Sequence, residues 1–263
     1  MNAKVAKAIN ILGQFCGKRD VDQLSRSLLK KKYGFDQADI MVLFGGSIIT
    51  GGDVLAKAIK DQVAKTYIIV GGAGHTTETL RQKVHKEYPE IKTAGLSEAE
   101  IFQQYIKKLY DCEADYLETK STNCGNNITY LLDLIKAKNI ICHSIILCQD
   151  ATMQNRMEAK LRKDMSHDIT IINYASYAAV VEYTNENLHF STSIHGMWDM
   201  ERYVNLLMGE IPRLSDNEHG YGPKGKNFID HVDIPEEVLK AFELLKQVYG
   251  NEIREANPLY ASK

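Results

Sequence analysis

The chain has 263 residues, 44% of them hydrophobic, which is enough for a large core in one α/β domain or in such a domain with a smaller appendage. Its formal net charge of −2, from 32 basic and 34 acidic residues, argues against a nucleic-acid-binding surface. No run approaches the roughly 20 apolar residues of a membrane span, and residues 1–4 do not begin a signal peptide. We therefore expect a cytoplasmic protein that binds neither a membrane nor nucleic acid.

The cysteines are expected to be reduced thiols. They are odd in number and include no C-x-x-C pair, which is typical neither of a disulfide framework nor of a zinc site. They are Cys16, Cys112, Cys124, Cys142 and Cys148.

The periodicity of apolar residues predicts two helices within about the first 35 residues. Two apolar runs that end in glycines follow them in the first half of the chain. The runs are residues 40–44 and residues 67–70. Uninterrupted apolar runs are typical of parallel strands covered on both faces, and glycines at their ends let the backbone approach a ligand closely. The glycines are Gly45, Gly46, Gly71, Gly72 and Gly74.

The second glycine loop leads into a predicted helix. Thr76 or Thr77 is a suitable N-cap for a helix through about Glu87, and the N-terminus of such a helix favours a phosphate, a carboxylate or another polar ligand edge. His75, just before it, is a candidate hydrogen-bonding or acid–base group. The dinucleotide fingerprint is incomplete, because Thr77 replaces its third glycine and no acidic residue follows at the expected distance. The alternative that these glycines only form tight turns stays open.

A capping box predicts the start of the next helix. Ser97 and Glu100 have the required spacing, and a short strand is expected at residues 116–119. The uncharged segment 121–127, rich in hydrogen-bonding side chains, then precedes a helix over residues 128–138. This segment is either a helix cap or a ligand-binding loop.

Two further strands complete a predicted sheet. Residues 144–148 indicate a buried strand, polar residues 149–152 precede a helix over residues 153–165, and residues 169–172 indicate a fifth strand. Five strands that alternate with helices require right-handed crossovers and a parallel sheet. The predicted fold class is α/β, a three-layer αβα Rossmann-like fold.

The C-terminal third has a different pattern. Residues 195–208 predict a helix that ends at residues 209–213, and Pro235 opens a last helix to about Tyr249. The glycine-rich loop 216–226 between them has no role that the sequence reveals.

These patterns divide the chain into two predicted parts. Residues 36–190 form the Rossmann-like ligand-binding domain. Residues 1–35 and 191–263 form a smaller helical subdomain built from both termini.

The candidate site follows from the predicted sheet. The carboxyl ends of parallel strands meet at one edge, where ligands bind at the point of strand-order reversal. Asn side chains both donate and accept hydrogen bonds, and Asp150 suits a ribose diol or a ligand ammonium group. Catalytic residues are unknown, with His75, Glu98 and Asp150 as candidates, and no metal site is predicted. A carboxylate in a first helical turn, such as that of Glu98, is also common for dipole reasons alone. The candidate ligand-binding residues are Gly45, Gly46, Gly71, Gly72, Gly74, His75, Glu98, Ser121, Asn123, Asn127, Gln149 and Asp150.

A set of short motifs carries a resemblance to a known family. They stand at residues 44–46, 70–74, 97–99, 121–127 and 149–153, and at residues 195–198, 201–203, 220–223 and 231–233. In their order and spacing the chain resembles the bacterial YdcF-like family, relatives of SanA and ElyC, and its C-terminal motifs resemble the soluble enterobacterial members. The resemblance spans almost the whole chain. It implies a Rossmann-like domain with a helical subdomain, a cleft at the carboxyl edge of the sheet, and binding of S-adenosylmethionine, and it implies no particular reaction.

The chain departs from the family pattern inside the expected cleft. Residues 47–57 contain no Arg after the first glycine pair, Cys124 and Asn126 replace a Thr and a Glu, and Thr152 and Asn155 replace a His and an Arg. These changes remove acid, base and anion-binding groups. They disfavour the catalysis expected of family members whose clefts carry these charged side chains. The membrane anchor of SanA and ElyC is also missing from the sequence, so an envelope role is not favoured.

Two functions of different class are open. The first is a small-molecule-binding protein whose ligand is S-adenosylmethionine or a related adenosyl compound, with or without methyl transfer. The alternative is an enzyme, a hydrolase or transferase, that acts on a phosphorylated or nucleotide-sugar substrate and is linked to envelope biogenesis. Ile69 and Val70 stand where most methyltransferases have an acidic residue before the glycines, which favours binding or unusual chemistry. A scaffold without a ligand is a third interpretation, and the oligomeric state is not predicted.

Mutational expectations follow from the predicted cleft. Valine at Gly46 or Gly72, and alanine at Asn123 or Asp150, should weaken the ligand more than they weaken the fold.

Overall fold

Helices and strands alternate through the central part of the chain. The structure is a computed structural model that describes residues 2–74 and 76–250, so Met1, His75 and residues 251–263 lie outside the described residues. The helices and strands, in chain order, are α1 (Asn2–Cys16), α2 (Arg26–Tyr33), β1 (Ala38–Phe44), α3 (Thr50–Lys60), β2 (Ala64–Val70), α4 (Thr77–Glu87), α5 (Glu98–Tyr110), β3 (Tyr116–Glu118), α6 (Cys124–Ala137), β4 (Ser144–Cys148), α7 (Gln154–Asp164), β5 (Thr170–Asn173), β6 (Val181–Thr184), β7 (Asn187–Phe190), α8 (Met200–Leu214) and α9 (Glu236–Tyr249).

The central sheet has five parallel strands in the order β3, β2, β1, β4, β5. In the register of the sheet, Ile40 of β1 lies between Thr66 of β2 and Ile145 of β4. The chain adds strands to one side of β1 first and then to the other side, so the strand order reverses between β1 and β4. The predicted three-layer αβα, Rossmann-like fold is confirmed.

Alternate residues of β1 face two helical layers. All seven residues of this strand are buried. Met41 and Leu43 belong to a cluster with residues of α3 and α5, whereas Ile40, Val42 and Phe44 belong to a cluster with residues of α6 and α7. Because successive side chains of a strand point to opposite faces, an uninterrupted apolar strand needs cover on both faces, and the two layers provide it.

The terminal helices pack into a separate cluster. Ile9 of α1 shares this cluster with Leu207 of α8 and Leu245 of α9. Leu29 of α2 instead packs in the cluster that contains Met41 of the sheet. The division of the chain at residues 36 and 190 stays a prediction.

The helix that follows the polar segment begins earlier than predicted. It starts at Cys124 and not at residue 128, because the side chain of Asn123 accepts a hydrogen bond from Asn126 N at 3.0 Å and caps the helix. The end of the polar segment is therefore the first turn of α6.

The predicted helix at residues 195–208 also has different ends. Helix α8 begins later, at Met200 after the N-cap Asp199, and it continues beyond the predicted end to Leu214. Ile211 and Leu214 are buried. Their burial outweighs the single helical hydrogen bond that Pro212 cannot donate.

A hairpin that the sequence analysis did not predict lies between β5 and α8. Strands β6 and β7 pair antiparallel through a two-residue turn at Asn185 and Glu186. Both turn residues have positive φ, 50° and 65°, as the two-residue turns of hairpins require. Glutamate is uncommon in that conformation, so the turn had a weak sequence signal.

All five cysteines carry free thiols. Across residues 2–74 and 76–250, no helix combines the length and the apolar character that crossing a bilayer requires.

Candidate functional site

A cleft lies at the carboxyl edge of the sheet, where the strand order reverses between β1 and β4. In open α/β sheets this position is the usual ligand site. The cleft contains every predicted binding residue except Gly71, which is not part of its lining, and His75, which lies outside the described residues. Whether these residues bind a ligand stays a prediction. The lining consists of Gly45, Gly46, Ser47, Gly72, Gly74, Thr76, Glu98, Ser121, Thr122, Asn123, Cys124, Asn127, Gln149, Asp150, Thr152, Met153, Trp198 and Leu206.

Close packing inside the protein explains most of the glycines. A Cβ atom on Gly45 would lie 2.9 Å from Glu98 Cβ, and a Cβ atom on Gly71 would lie 3.0 Å from the same atom. A Cβ atom on Gly72 would lie 2.8 Å from both Lys120 C and Ser121 N. These glycines are required where a helix or another backbone segment crosses the ends of β1 and β2.

Gly46 is different from these glycines. Within 4 Å, a Cβ atom on Gly46 would meet only Gln149 Oε1 of the described residues, at 3.8 Å. No packing contact therefore demands a glycine here. A side chain at this position would instead extend into the cleft, so close approach of a ligand is the better explanation for Gly46.

The glycine loops offer few free amides to an anion. Four of the five predicted glycines already donate their backbone N–H to protein acceptors, and only Gly46 N has no such bond to a described residue. These bonds are Gly45 N to Val70 O at 2.6 Å, Gly71 N to Glu118 O at 2.9 Å, Gly72 N to Ser121 Oγ at 3.1 Å and Gly74 N to Thr77 Oγ1 at 2.7 Å.

The N-terminus of α5 is also satisfied by the protein. The predicted capping box is present, with Ser97 Oγ accepting from Glu100 N and Glu100 Oε2 accepting from Ser97 N. Glu98 N donates to Gly72 O at 3.0 Å, and Ala99 N donates to Gly71 O at 2.8 Å. These bonds hold α5 against the end of β2 and leave its first amides unable to bind a phosphate.

The Glu98 carboxyl group lies on the wall of the cleft beside Gly45, and the residue is only 7% exposed. Its Oε1 accepts hydrogen bonds from Thr76 Oγ1 at 3.0 Å and from Thr77 Oγ1 at 2.9 Å. Burial raises the pKa of this carboxyl group, and the bonds from Thr77 and Thr76 and the charge of Arg81 act in the opposite direction. Its Oε2 receives no hydrogen bond from any described residue.

Asp150 lies on another part of the cleft lining and is held by several protein donors. Its Oδ1 accepts from Thr152 N at 2.9 Å, from Thr152 Oγ1 at 2.8 Å and from Tyr177 OH at 2.8 Å. Its Oδ2 accepts from Trp198 Nε1 at 3.2 Å. Asp150 therefore organises the loop after β4, in addition to any contact with a ligand.

Trp198 and Lys83 were not among the predicted site residues. Trp198 lines the cleft, and the Lys83 ammonium lies 4.6 Å from the centre of its ring. Lys83 Nζ donates to Gly196 O at 2.7 Å and to Ser47 O at 3.3 Å. Burial lowers the pKa of this ammonium, while the charges of Asp150 and Asp199 act to raise it. The sequence offered only aromatic character as a signal for Trp198, and an aromatic side chain is more often part of a core.

Two polar side chains of the cleft have no partner among the described residues. The Ser47 hydroxyl is buried and forms no hydrogen bond. Asn127 contributes its side-chain amide to the lining and donates to no described residue. The half-buried amide of Asn127 is therefore available to a ligand, whereas the Ser47 oxygen is enclosed by the protein.

Residue 155, where the resemblance described above led us to expect an arginine, is an asparagine. Asn155 instead donates its side-chain amide to Phe15 O at 2.9 Å. Arg156, the next residue, forms a buried ion pair with Glu210 of α8, with Nη2 and Oε1 3.0 Å apart. Helix α7 thus directs the side chain of Arg156 toward α8.

The charges of the cleft are uneven. Glu98 and Asp150 are the charged side chains among its described lining residues, which include no Lys or Arg. Among the described residues there is no cluster of three or more His, Cys, Asp or Glu side chains arranged to hold a metal ion. The arrangement suits a ligand that is neutral or positively charged, has hydrogen-bonding groups, and offers a flat face to an indole ring. Models of known protein families were compared with the chain, and none of them matches it.

Proposed function

We propose that this protein binds an adenosyl compound, S-adenosylmethionine or a close relative, in the cleft between the ends of β1 and β4. The observation that carries the proposal is the charge of the cleft. Glu98 and Asp150 are present without a basic side chain among the described lining residues. S-adenosylmethionine carries a sulfonium and an ammonium group, and carboxylates favour both of these cations.

The remaining lining suits the neutral parts of the same ligand. Asn127 has a side-chain amide that can meet the donors and acceptors of an adenine edge or the hydroxyl groups of a ribose. Trp198 offers an aromatic face of the kind on which adenine stacks. Gly46 leaves room for the ligand to approach the backbone.

The alternative substrate class, a phosphorylated compound or a nucleotide sugar, is supported less well. A phosphate site normally combines free amides at a glycine loop or helix N-terminus with Arg or Lys side chains. Here five backbone N–H groups already donate hydrogen bonds to protein acceptors, namely those of Gly45, Gly71, Gly72, Gly74 and Glu98. Two carboxyl groups in the lining would in addition repel a phosphate.

No reaction is part of this proposal. Asp150 is surrounded by protein donors, which suits a structural role better than that of a general base. Glu98 has an oxygen toward the cleft and remains the better candidate for chemistry. Membership in the YdcF-like family and a cytoplasmic location, both expected from the sequence, belong to the same proposal.

Thermal denaturation with a panel of ligands tests the proposed function. A ligand that binds only the native state stabilises it by RT ln(1 + [L]/Kd), or about 2.7 kcal/mol at a hundredfold excess over Kd. We expect S-adenosylmethionine, and more weakly S-adenosylhomocysteine, to raise the melting temperature. ATP and a sugar nucleotide at the same concentration serve as controls. A shift with the triphosphate or the sugar nucleotide alone would contradict the adenosyl assignment.

A further inference from the structure

Glu98 has an unusual position for a buried carboxyl group. It is the first residue of α5, and its backbone N–H is fixed to Gly72 O, so its side chain is held where the ends of β1 and β2 meet the cleft. The residue is 7% exposed and lines the cleft. Burial of a carboxyl group normally requires partners for both of its oxygens.

Only one of these oxygens has such partners. Thr76 and Thr77 both donate to Oε1, and Thr77 is oriented for this because its hydroxyl oxygen accepts from Gly74 N at 2.7 Å. No described residue donates to Oε2, which lies against the Cα face of Gly45. One carboxyl oxygen is thus committed to the protein, and the other is available at the cleft wall.

Few charged groups act on this carboxyl group. Arg81 of α4 lowers its pKa, but the Arg81 guanidinium is itself bound to Leu96 O through Nε at 3.1 Å and to Glu78 Oε2 through Nη1 at 3.3 Å. Asp150 lines the same cleft and carries the same sign of charge as ionised Glu98. No Lys or Arg side chain is present in the described part of the lining. The Lys83 ammonium beside Trp198 acts on Asp150, and a cationic ligand would supply to Glu98 a positive charge that no described lining residue carries.

We propose that Glu98 recognises the sulfonium charge of S-adenosylmethionine through Oε2 and thereby selects this ligand over S-adenosylhomocysteine, an inference that rests on the proposed function. The two compounds share the adenosine and the amino-acid ammonium group and differ in the charged methyl group on sulfur. A carboxylate at the sulfur position therefore discriminates between them, whereas a carboxylate at the ammonium group does not.

Binding of the sulfonium is coupled to a proton. Burial raises the pKa of Glu98 in the free protein, so the carboxyl group is protonated to a larger extent than a surface glutamate. A cation at Oε2 lowers this pKa again, and the proton leaves on binding. Proton release is expected at pH values between the bound and the free pKa and disappears at higher pH, where Glu98 is already ionised. The affinity for S-adenosylmethionine therefore rises as the pH rises through the free pKa.

Isothermal titration calorimetry of the full chain tests the inference. At a series of pH values upward from the ordinary glutamate pKa of about 4.3, titrations in two buffers of different ionisation enthalpy report the protons released. We expect release with S-adenosylmethionine and little with S-adenosylhomocysteine. The Glu98→Gln variant keeps an oxygen that accepts from Thr76 and Thr77, and it should bind S-adenosylmethionine about tenfold more weakly with no proton release. Its affinity for S-adenosylhomocysteine should stay within about threefold of the parent.

Glu236→Gln removes an exposed carboxylate of α9 that does not line the cleft, and it should leave both affinities and the proton release unchanged. Equal proton release with both ligands would assign Glu98 to the ammonium group and overturn the inference. So would a Glu98→Gln variant that keeps the parent's ligand preference. Failure of the parent protein to bind either ligand would instead contradict the proposed function itself. Proton release by the parent protein is measurable even where the variant does not fold.

Discussion

The indole Nε1 of Trp198 donates a hydrogen bond to Oδ2 of Asp150 at 3.2 Å, and this bond joins the segment before α8 to the loop after β4. The two residues are 48 positions apart in the sequence. Lys83 of α4 supports the same segment, because it donates to Gly196 O and lies over the indole ring. The C-terminal part of the chain thereby completes a cleft that is lined mainly by the loops after the strands.

Tryptophan fluorescence should report ligand binding directly. Trp198 is the single tryptophan of the chain and lines the cleft, so a ligand that stacks on the indole or displaces water from it changes the emission. We expect a saturable change in intensity or wavelength with S-adenosylmethionine, with the same Kd as calorimetry gives. The Trp198→Phe variant should lose the signal. It should also lose about 1 kcal/mol in the free energy of unfolding, because Asp150 loses a donor. Calorimetric binding without any change in parent fluorescence would place the ligand away from Trp198.

The two glycine loops should respond differently to mutation. Gly46→Val should leave the melting temperature close to that of the parent and weaken the ligand by about tenfold or more, because the added side chain extends into the cleft. Gly72→Ala should lower the free energy of unfolding by about 1–3 kcal/mol, because its Cβ would press on the backbone of Lys120 and Ser121. Gly46→Ala is the matched fold control for Gly72→Ala. The sequence predicts that valine at either glycine weakens the ligand more than the fold, and the close contacts of a Cβ atom on Gly72 argue against this for Gly72.

Thermal melts together with calorimetry separate these effects. A folded Gly46→Val protein that binds as tightly as the parent would show that the ligand does not approach this backbone. A Gly72→Ala protein as stable as Gly46→Ala would contradict the packing argument.

Asn127 and Asn123 form a second matched pair. Asn127→Ala removes an amide with no partner among the described residues, so it should weaken the ligand about tenfold to a hundredfold without lowering the melting temperature. Asn123→Ala removes the N-cap of α6 and should cost about 1 kcal/mol of stability even without ligand. Asp150→Ala should likewise destabilise the free protein, since Asp150 accepts from three protein residues. Urea denaturation and ligand titration of each variant provide the comparison. Parental affinity in Asn127→Ala would remove this residue from the site.

The sheet was predictable because its signals are local. An uninterrupted apolar run such as residues 40–44 can be covered only from two sides, and helices between such runs force parallel pairing. The capping box at Ser97 and Glu100 likewise fixed the start of α5 to the residue. The hairpin β6 to β7 escaped prediction because its turn residues, Asn185 and Glu186, include one that rarely adopts positive φ.

The position of the cleft was predictable from the sequence, and the contacts inside it were less so. Strand ends meet at one edge whatever the side chains are, so Gly46, Asn127 and Asp150 were expected to come together, as they do. The reason for each glycine was not accessible from the sequence, because it depends on which segment crosses the glycine. Trp198 was considered as a residue that could stack on adenine but was assigned to core packing, because its contact with Asp150 depends on the path of the C-terminal segment.

His195 belongs to a separate group of titratable side chains at α3, α4 and α5. Its Nδ1 lies 3.0 Å from Asp53 Oδ2, and its Nε2 lies 2.8 Å from Glu87 Oε1. Burial lowers the pKa of the imidazole, but the hydrogen bonds and charges of Asp53 and Glu87 outweigh burial, and the resulting pKa is raised above 6.5. The hydroxyl groups that face the two carboxylates and the imidazole are those of Tyr88, Tyr105 and Tyr110.

This arrangement predicts that stability falls as the solution becomes alkaline. A histidine whose pKa is higher in the folded state than in the unfolded state stabilises the fold fully below the unfolded value, about 6.5, and this contribution is lost as the pH rises through the folded pKa. Urea denaturation at several pH values between about 6 and 9 should therefore show a decline that the His195→Gln variant lacks. His189→Gln, which changes an exposed histidine of β7, is the matched control and should keep the decline. A decline of equal size in His195→Gln would show that another group causes it.

Because the segment from His195 to Trp198 joins this group to the cleft, the affinity for the adenosyl ligand should decline over the same pH range in the parent protein. That decline should be absent in His195→Gln.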